Sequence, residues 1–517
     1  MTSIRADNAV PMTVVLGIPF SGLTTEQTLT YFEEAIRERT SRIIITANLD
    51  CVVRSMKDPI LKRIMYNAAL TTPDGMPLVW AGRTMRPPLT ERVAGSDFAP
   101  MLLERAAKKG HSVFFLGGRE GVGERAAERC CKLYPGLRIA GIIAPPFQTV
   151  WEMANDDLVE RINAAAPDIL MIAFGNPKQE YWMSMNLQKL RVPVLIGVGA
   201  TLDFLSGIVP RAPEWMKRTS TEWIFRLLLE PRRLGKRYAI DIRDGLIPLV
   251  LETGVDALMR LLTPRAKAGR QEASSVSTMT VTAHDGTMRV LLVQGCHKHE
   301  LAALAVTLHQ YPCDAVVVDL HHCVHLDSEA LSALVAIDRA MRRQAKHCLV
   351  VTGRVSRTIL RIARLHDVLA LYRSLTEALD VLTFFGCHPL RVFDRTIDGT
   401  VRIVSFYGEL TDWTRSFADG VTFGGPETRT IVDLSEMRFV DAGGIQWLRE
   451  RWQAERGGAQ LHVVTTNSFL ATTLRAAGLR EQVIVHPTLE SALVFFNGRD
   501  KHSPPLAIVP EASAHNA

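Results

Sequence analysis

The sequence lacks the features of several protein classes. It has no run of 18 uncharged apolar residues that could span a bilayer, and its first residues lack the basic, apolar and small-residue succession of a secretory signal. Only 8 of the 517 residues are cysteine, and none has the CxxC spacing, which favours a reducing compartment. A net charge of +6 is too small to predict a nucleic-acid partner, and none is expected. With 47% hydrophobic residues the chain is not largely disordered, so we expect a globular, cytoplasmic protein.

The first half of the chain alternates short apolar runs with helical patterns. Segments such as RIIITANL, HSVFFLGG, DILMIAFG and VPVLIGVGA have the length and composition of buried strands, and helical patterns follow them. This alternation is typical of βα units on a parallel sheet that is covered on both faces. We therefore predict a Rossmann-like α/β domain over 1–246 that ends in a basic helical segment. A helical or flexible linker is predicted over 247–278, because 266–280 is polar and rich in small residues.

The remainder of the chain repeats with a period of 114 residues. Asp319 and Asp433 each precede a second aspartate, Asp327 or Asp441, by eight residues. The segments SLTEAL and TLESAL each end 52 residues after that second aspartate. Equal offsets of this kind indicate a duplicated domain, so the sequence predicts two small α/β domains and a disordered tail. Their predicted boundaries are 279–385, 398–497 and 498–517.

Polar residues or glycines follow several predicted strands of the first domain. Ligands of open parallel sheets bind beyond the carboxyl ends of the strands, so these residues are candidates for substrate binding. They are Thr46, Asn48, Asp74, Gly117, Gly118, Asn176, Lys178, Gln179 and Asp203. Asp74 could act as a general base or could only form a turn. Gly117 and Gly118 could let the backbone approach a phosphate or could only form a tight turn.

The sequence contains no D-x-D motif, so a metal-bridged nucleotide diphosphate of the usual kind is not indicated. Neither a metal ion nor a cofactor is expected. A diphosphate leaving group would then need arginine, whose planar guanidinium matches phosphate oxygens. Nine Lys or Arg residues lie between Arg211 and Arg243, although this segment could also be a solvated helix face. The candidates among them are Arg226, Arg232, Arg233 and Arg237.

Seven motifs in the first domain carry a resemblance to a known family. They include TANLDCVV, TTPDGMPLVWAGR, FFLGGREGVGERAA, PDILMIAFGNPKQE and TEWIFRLLLEPRRLGKRY, and the resemblance covers about Val14 to Leu246. This segment resembles the WecG/TagA/CpsF glycosyltransferases, which form glycosyltransferase family 26. The sequence departs from the family pattern at Ala47, where proline is usual, and at Thr221, where leucine is usual.

The resemblance implies an inverting, metal-independent transfer of an N-acetylmannosamine-type sugar. The donor would be a UDP-sugar, and the acceptor would be a polyprenyl-diphosphate-linked N-acetylglucosamine of bacterial polysaccharide biosynthesis. The resemblance further implies that Asp74 deprotonates the acceptor hydroxyl and that Thr46 and Asn48 line the same pocket. It also implies that Gln179 contacts the donor or the acceptor. The basic segment would close over the site and bring its arginines to the diphosphates.

The two repeated domains resemble STAS domains, the modules of anti-sigma-factor antagonists and sulfate transporters. The likeness centres on VVVDLHHCVHLDSEAL and TIVDLSEMRFVDAGGI. In that family a serine that follows an aspartate at a helix N-terminus can be phosphorylated by a partner kinase, which makes Ser328 a candidate regulatory site. Ser328 could also be an ordinary serine at the start of a helix. The second copy has Ala442 at this position, so it has no hydroxyl group there that could be phosphorylated.

These features lead to one hypothesis and an alternative to it. The hypothesis is a peripheral glycosyltransferase at the inner face of the cell membrane, regulated or recruited through its STAS domains. The alternative is a STAS-based signalling scaffold or anti-sigma-factor antagonist whose transferase domain only senses sugar nucleotides. In the first case, amphipathic helices around 215–260 would contact lipid. The residues predicted to face the lipid are Ile224, Leu227, Leu228, Ile247 and Leu251.

Overall fold

The structure is a computed structural model that describes most of the chain. The described residues are 10–146, 148–153, 156–209, 213, 216, 222–229, 231–262, 275–294, 298–323, 325–397, 401–424, 428–456, 460–479 and 482–496. The chain forms two compact units, Met1–Cys387 and His388–Ala517. The first unit holds the N-terminal domain and the first repeat, and the second unit holds the second repeat. The predicted tail over 498–517 lies outside the described residues.

The N-terminal domain is built on a six-stranded parallel sheet, which follows an antiparallel hairpin of β1 (Met12–Val15) and β2 (Ile18–Ser21). The strands of the sheet are β3 (Arg42–Ala47), β4 (Leu70–Pro73), β5 (Ser112–Gly117), β6 (Arg138–Ile143), β7 (Ile169–Ala173) and β8 (Val194–Gly197). Their order across the sheet is β4, β3, β8, β7, β5, β6. The four inner strands are almost fully buried, as expected when helices cover both faces of a sheet. The predicted parallel-sheet α/β fold is confirmed.

The helices of this domain begin at residues that satisfy their free N–H groups. Thr24 and Gln27 form a capping box at the start of α1 (Thr25–Glu38). Asn48 caps α2 (Leu49–Ser55), and Asp58 caps α3 (Pro59–Asn67). The helices that follow are α4 (Met76–Thr84), α5 (Gly95–Lys109), α6 (Val122–Leu133), α7 (Val150–Met153), α8 (Asp156–Ala165), α9 (Lys178–Asn186) and α10 (Thr201–Ser206). The strand-to-helix turns therefore gather at the carboxyl edge of the sheet.

The basic segment after the sheet is helical. It consists of α11 (Glu222–Leu229), α12 (Pro231–Ile240) and a π-helix (Asp241–Leu246), and α13 (Ile247–Leu262) follows it directly. The predicted linker over 247–278 thus begins with an ordered helix, and Leu249, Glu252 and Asp256 of α13 are buried. Among the described residues, no helix combines the length and the apolar character that crossing a membrane requires.

The first repeat is a five-stranded sheet with helices around it. Its strands are β9 (Ser275–Ala283), β10 (Gly286–Gln294), β11 (Ala315–Leu320), β12 (His347–Thr352) and β13 (Ala370–Tyr372). Its helices are α14 (Lys298–Thr307), the 3-10 turn Leu308–Gln310, α15 (Ser328–Arg342), α16 (Arg354–Ile362) and α17 (Leu375–Phe385). The strand order is β13, β12, β11, β10, β9, and only the β9–β10 pair is antiparallel.

The second repeat has the same topology. Its strands are β14 (Leu390–Ile397), β15 (Val401–Leu410), β16 (Arg429–Asp433), β17 (Met437–Val440), β18 (Leu461–Val464) and β19 (Val483–His486). Its helices are the 3-10 turn Arg415–Ala418, α18 (Ala442–Arg456), α19 (Ser468–Leu474), the π-helix Arg475–Leu479 and α20 (Leu489–Phe496). The sheet runs β14, β15, β16, β18, β19, with β17 added against β15. Because α15 and α18 begin 114 residues apart, as do β12 and β18, the predicted duplication of a small α/β domain is confirmed.

Candidate active site

Asp74 lies at the carboxyl edge of the sheet, next to the end of the neighbouring strand. Its backbone N–H donates a hydrogen bond to the carbonyl of Ala47, 2.9 Å away, so the turn after β4 is fixed against the end of β3. The Asn48 side chain accepts from the Cys51 N–H at 3.0 Å and caps α2. A Cβ atom built on Gly75 would lie only 3.8 Å from the Cα of Asn48. The structure therefore brings Asn48 and the half-buried Asp74 together.

Thr46 completes this group from β3. Its hydroxyl would be 2.8 Å from a Cβ atom built on Gly95, the first residue of α5. A side chain at Gly95 would therefore collide with Thr46, and the glycine allows the start of α5 to approach the strand end. Thr46 and Asn48 were predicted from one strand end and Asp74 from another, and the parallel ladder β3–β4 places these two ends side by side.

A large pocket opens at the carboxyl ends of β5, β7 and β8. It has a volume of about 860 Å³, and its lining includes polar and charged side chains. Its walls include Gly117, Gly118, Arg119, Glu120, Glu124, Gln148, Phe174, Gly175, Lys178, Gly199 and Asp203. The Asp203 carboxylate lies 3.7 Å from the Arg119 guanidinium. Gly117, Gly118, Lys178 and Asp203, all predicted from the sequence, thus line one cavity.

The backbone at the strand end of this pocket requires glycine. Gly117 and Gly118 have φ angles of +99° and +79°. Residues other than glycine rarely adopt this backbone conformation. A Cβ atom on Gly117 would also lie 2.8 Å from the ring of Phe174. The Gly118 N–H is already bonded to the carbonyl of Ala173 at 3.1 Å, which joins this turn to β7.

Gln179 lies beneath the pocket and is only 6% exposed. Its side-chain oxygen accepts from the Gly199 N–H at 3.1 Å, and its nitrogen donates to Glu180 at 2.9 Å. A Cβ atom on Gly197 would collide with this amide, so the glycine makes room for it. Gln179 therefore braces the turn after β8, which lines the pocket. Its amide group thus bonds to Gly199 and Glu180, whereas the resemblance implies that Gln179 contacts the donor or the acceptor.

Glu180 is a buried carboxyl group that sequence reasoning did not select. It is almost completely buried, and burial raises its pKa to about 7, although the amides of Gln179 and Asn176 lower it. Glu180 also lies close to Cys51, whose pKa is raised by burial first, then by Glu180, and further by Asp50 and Asp74. Its position directly after the predicted site residues Lys178 and Gln179 was the signal that could have identified it.

The basic segment packs on α2, next to the Asn48 cap. A Cβ atom on Gly245 of the π-helix would lie 2.7 Å from Val53 and 2.9 Å from Leu49, so the two helices are in close contact there. Arg237 lies 3.4 Å from the Asp50 carboxylate, and Lys57 lies 2.9 Å from Asp244.

The four arginines predicted for diphosphate binding have different positions. Arg237 is half-buried and held between Asp50 and Asp241, which is 4.0 Å away. Burial and, to a smaller extent, the neighbouring Asp50 raise the pKa of Asp241 to about 6. Arg232 is exposed. The side chains of Arg226 and Arg233 lie outside the described part of the chain.

Ser328 is buried between the first repeat and the N-terminal domain, with 3% of its surface exposed. Its hydroxyl accepts a hydrogen bond from the Arg86 backbone N–H at 2.8 Å. Its own N–H donates to the Asp256 carboxylate at 2.8 Å. The preceding Asp327 caps α15 by accepting from the Ala330 N–H at 3.1 Å. A kinase could reach Ser328 only if the two domains separated.

Comparison with known proteins follows the same division of the chain. Residues 13–263 match the glycosyl transferase WecG/TagA/CpsF family, and residues 253–378 and 401–492 match the STAS domain. The chain is also similar to a crystal structure of an anti-sigma factor antagonist from Mycobacterium paratuberculosis. That similarity has 24% identity and a TM-score of 0.18, and it covers 22% of this chain and 95% of the other.

Three curated relatives are named N-acetylglucosaminyldiphosphoundecaprenol N-acetyl-beta-D-mannosaminyltransferase. The relative from Bacillus spizizenii is 31% identical over 197 residues, which is 38% of this chain and 75% of the relative. The relative from Staphylococcus aureus is 28% identical over 235 residues, covering 44% and 89%. The relative from Bacillus subtilis is 29% identical over 224 residues, covering 43% and 86%. The chain therefore belongs to the WecG/TagA/CpsF family of glycosyl transferases and carries STAS domains after its transferase domain.

Proposed function

We propose that the protein transfers an N-acetylmannosamine-type sugar from UDP to the N-acetylglucosamine of a polyprenyl-diphosphate-linked acceptor. The observation that carries the proposal is the placement of Asp74 beside Thr46 and Asn48, at the same sheet edge as a pocket of about 860 Å³. This volume lies within the roughly 300–1,000 Å³ that is typical of small-molecule pockets. The names of the relatives supply the sugar and the acceptor.

The pocket supports binding of the nucleotide half of the donor. The positive-φ turn at Gly117 and Gly118 leaves backbone that a phosphate can approach without meeting a side chain. Lys178 and Arg119 are the basic residues of a wall that also carries Glu120, Glu124 and Asp203, so we assign the phosphates to the side of Lys178 and Arg119. The Asp203 carboxylate can accept hydrogen bonds from the hydroxyl groups of a ribose. We therefore assign the UDP moiety to this pocket, braced from below by Gln179.

The proposed reaction is a single displacement with inversion. The Asp74 carboxylate takes the proton of the acceptor hydroxyl, whose oxygen forms a bond to the anomeric carbon of the sugar. The bond between that carbon and the UDP oxygen breaks, and its electron pair leaves with the diphosphate. Without a metal ion, the charge of the diphosphate would be balanced by the basic segment, with Arg226, Arg232 and Arg233 as the candidates.

Arg237 has a different part in this proposal. Its guanidinium is held between two carboxylates, Asp50 and Asp241, and therefore anchors the basic segment on α2. Asn48 caps the same α2, so the contact of Arg237 with Asp50 places the basic segment next to the proposed acceptor side of the site. The more exposed Arg232 remains available to the diphosphate.

The lipid-linked acceptor requires access to a membrane surface, and we propose that α11 and α13 provide it. Leu228 is 74% exposed, Ile247 54% and Leu251 62%, whereas Ile224 and Leu227 are partly buried. On α13 exposed apolar residues lie three, four, seven and eleven positions from one another along one face, which forms a stripe along the helix. They are Ile247, Val250, Leu251, Leu258 and Leu261. An apolar stripe beside a basic segment is the pattern of a helix that lies in the membrane interface.

Vesicle binding tests this membrane contact. The double variant Leu251→Ser/Leu258→Ser and the variant Arg232→Glu/Lys236→Glu should each reduce sedimentation with phosphatidylglycerol vesicles by about tenfold or more, because apolar burial and charge attraction both contribute. Leu133→Ser is the matched control, because Leu133 is 58% exposed on α6. Equal binding by both double variants and the control would refute the assignment.

Turnover with and without the proposed base tests the activity. We would measure UDP release from UDP-N-acetylmannosamine by the full chain, with a short-chain polyprenyl-diphosphate N-acetylglucosamine acceptor and EDTA present. Asp74→Asn should lower kcat by about 10²-fold or more, in line with the contribution of a general base, and should leave UDP affinity near the wild-type value. Asp157→Asn, at an exposed position of α8, is the control. Wild-type turnover in Asp74→Asn would exclude Asp74 as the base, and no turnover by the wild type would refute this donor and acceptor pair.

A further inference from the structure

Two side chains of the transferase domain lie within the hydrophobic core of the first STAS domain. Val14 and Tyr66 of the transferase domain are buried in the same cluster as the apolar residues of α14, α15 and β11. Tyr66 has no exposed surface, and Val14 is 2% exposed. Separating the domains would expose both side chains to water, which opposes separation because burial of apolar surface is favourable.

Buried polar pairs add to this junction. The Tyr66 hydroxyl donates to the Asp338 carboxylate at 2.9 Å, and Arg342 donates to the same carboxylate at 2.6 Å. Lys62 is 2% exposed and lies 2.8 Å from Asp367. Burial lowers the pKa of Lys62, although Asp367 raises it. Because a buried charge that loses its partner is strongly destabilising, these pairs oppose separation of the domains.

Ser328 connects two segments of the transferase domain through this junction. Its hydroxyl bonds to the Arg86 N–H, two residues after the end of α4, and its N–H bonds to Asp256 on α13. Helix α4 begins two residues after Asp74, and α13 directly follows the π-helix of the basic segment. The N-terminus of α15 therefore contacts the chain just after α4, the helix that follows the proposed base, and also contacts α13, the helix that follows the basic segment.

The second STAS copy lacks the residues that make these contacts. Ser328 and Asp338 correspond, 114 residues later, to Ala442 and Trp452. Ala442 has no hydroxyl, and Trp452 is a fully buried apolar residue of its own domain. Ser328 and Asp338, which bind the first copy to the transferase domain, therefore occur in that copy and are not repeated in the second.

We propose that the first STAS domain is a fixed positioning domain of the transferase and that Ser328 is a positioning residue for Asp74. The domain holds α4 and α13 in register, so that the base and the basic segment meet at one site. Ser328 then serves as a structural hydroxyl, and its phosphorylation would place negative charge against Asp256. The catalytic part of this inference rests on the proposed function, whereas the structural part does not.

The test compares Ser328→Ala, Ser328→Thr and Ser328→Asp in the full chain by hydrogen exchange of residues 76–93 and 247–262. Ser328→Ala should increase exchange over 76–93, because the hydroxyl that accepts from the Arg86 N–H is lost, and should leave 247–262 near the wild type, because its backbone N–H still donates to Asp256. Ser328→Asp should increase exchange in both segments, because it brings a second carboxylate next to Asp256, and Ser328→Thr, which keeps the hydroxyl, should restore the wild-type values. Ser374→Ala is the matched control, because Ser374 is an exposed helix-cap serine on α17 of the same domain. If Ser328→Asp does not fold, Ser328→Ala and Ser328→Thr decide the question.

Kinetics provides the second measurement. Ser328→Ala should lower kcat by about tenfold or more, since a small displacement of a catalytic group has effects of this size, while KM for the UDP-sugar and UDP affinity stay unchanged. Wild-type exchange and wild-type kcat in Ser328→Ala would overturn the proposal. An equal loss of UDP affinity would also overturn it, because the damage would then be general. If the wild type shows no turnover, the proposed function fails, and the exchange data alone still decide whether Ser328 holds α4 and α13.

Discussion

Glu252 of α13 provides a test of how the basic segment is attached to the transferase domain. Its carboxyl group is 5% exposed and accepts the backbone N–H of Leu16 at 2.8 Å, so it ties α13 to the β1–β2 hairpin. Burial raises the pKa of this carboxyl from 4.5 to about 8, and the nearby Asp256 contributes in the same direction. At neutral pH the folded protein therefore holds Glu252 mostly protonated, whereas the unfolded chain has released that proton.

The sign of the effect follows from this difference in bound protons. Between pH 4.5 and 8 the folded state binds the proton and the unfolded state does not, so stability falls as pH rises. Each pH unit costs about 1.4 kcal/mol in this window, with a total of about 5 kcal/mol at most. Glu252→Gln keeps an oxygen for the Leu16 N–H but cannot ionise. Its stability relative to the wild type should therefore rise by about 3 kcal/mol between pH 5 and 7.5.

Urea unfolding of the full chain, followed by circular dichroism from pH 5 to 8.5, measures this difference. The midpoint of Glu252→Gln relative to the wild type should increase by roughly 1 M across the range, given typical urea dependences. Glu160→Gln, at an exposed position of α8, should show a constant difference. Parallel pH profiles for the wild type and Glu252→Gln would refute the reasoning, because they would mean that Glu252 titrates alike in both states.

Two further variants test contacts around the site. Gln179→Ala leaves the Gly199 N–H without its side-chain acceptor and should destabilise the protein by about 1–3 kcal/mol in thermal unfolding. Calorimetry should also show weaker UDP binding by this variant. Wild-type UDP affinity would contradict the proposal that Gln179 holds the turn that lines the pocket. Gly245→Leu should push the π-helix away from Val53 and increase hydrogen exchange over 231–246. Gly254→Leu is its control, because no heavy atom lies within 4 Å of a Cβ atom there, and equal exchange in the two variants would argue against the packed contact.

Local sequence patterns predicted most of the fold. Apolar runs of strand length followed by helical periodicity predict parallel βα units, and the six-stranded sheet has that form. The equal offsets around Asp327 and Asp441 predicted the duplication, because one fold repeated without insertions keeps one period. The polar residues at strand ends, including Asp74 and Lys178, also lie where parallel strands must bring them. These features depend on neighbours in the sequence or on the direction of the strands.

The sequence by itself therefore determined the fold class, the duplication and the edge of the sheet at which the site lies. Only the tertiary structure decided that Gln179 lies beneath the pocket, that Glu180 is a buried carboxyl, and that Ser328 is enclosed by a second domain. The contact of Ser328 with Arg86 joins residues 242 positions apart. Burial and hydrogen-bond partners at such separations depend on how whole domains pack, and no local periodicity carries that information.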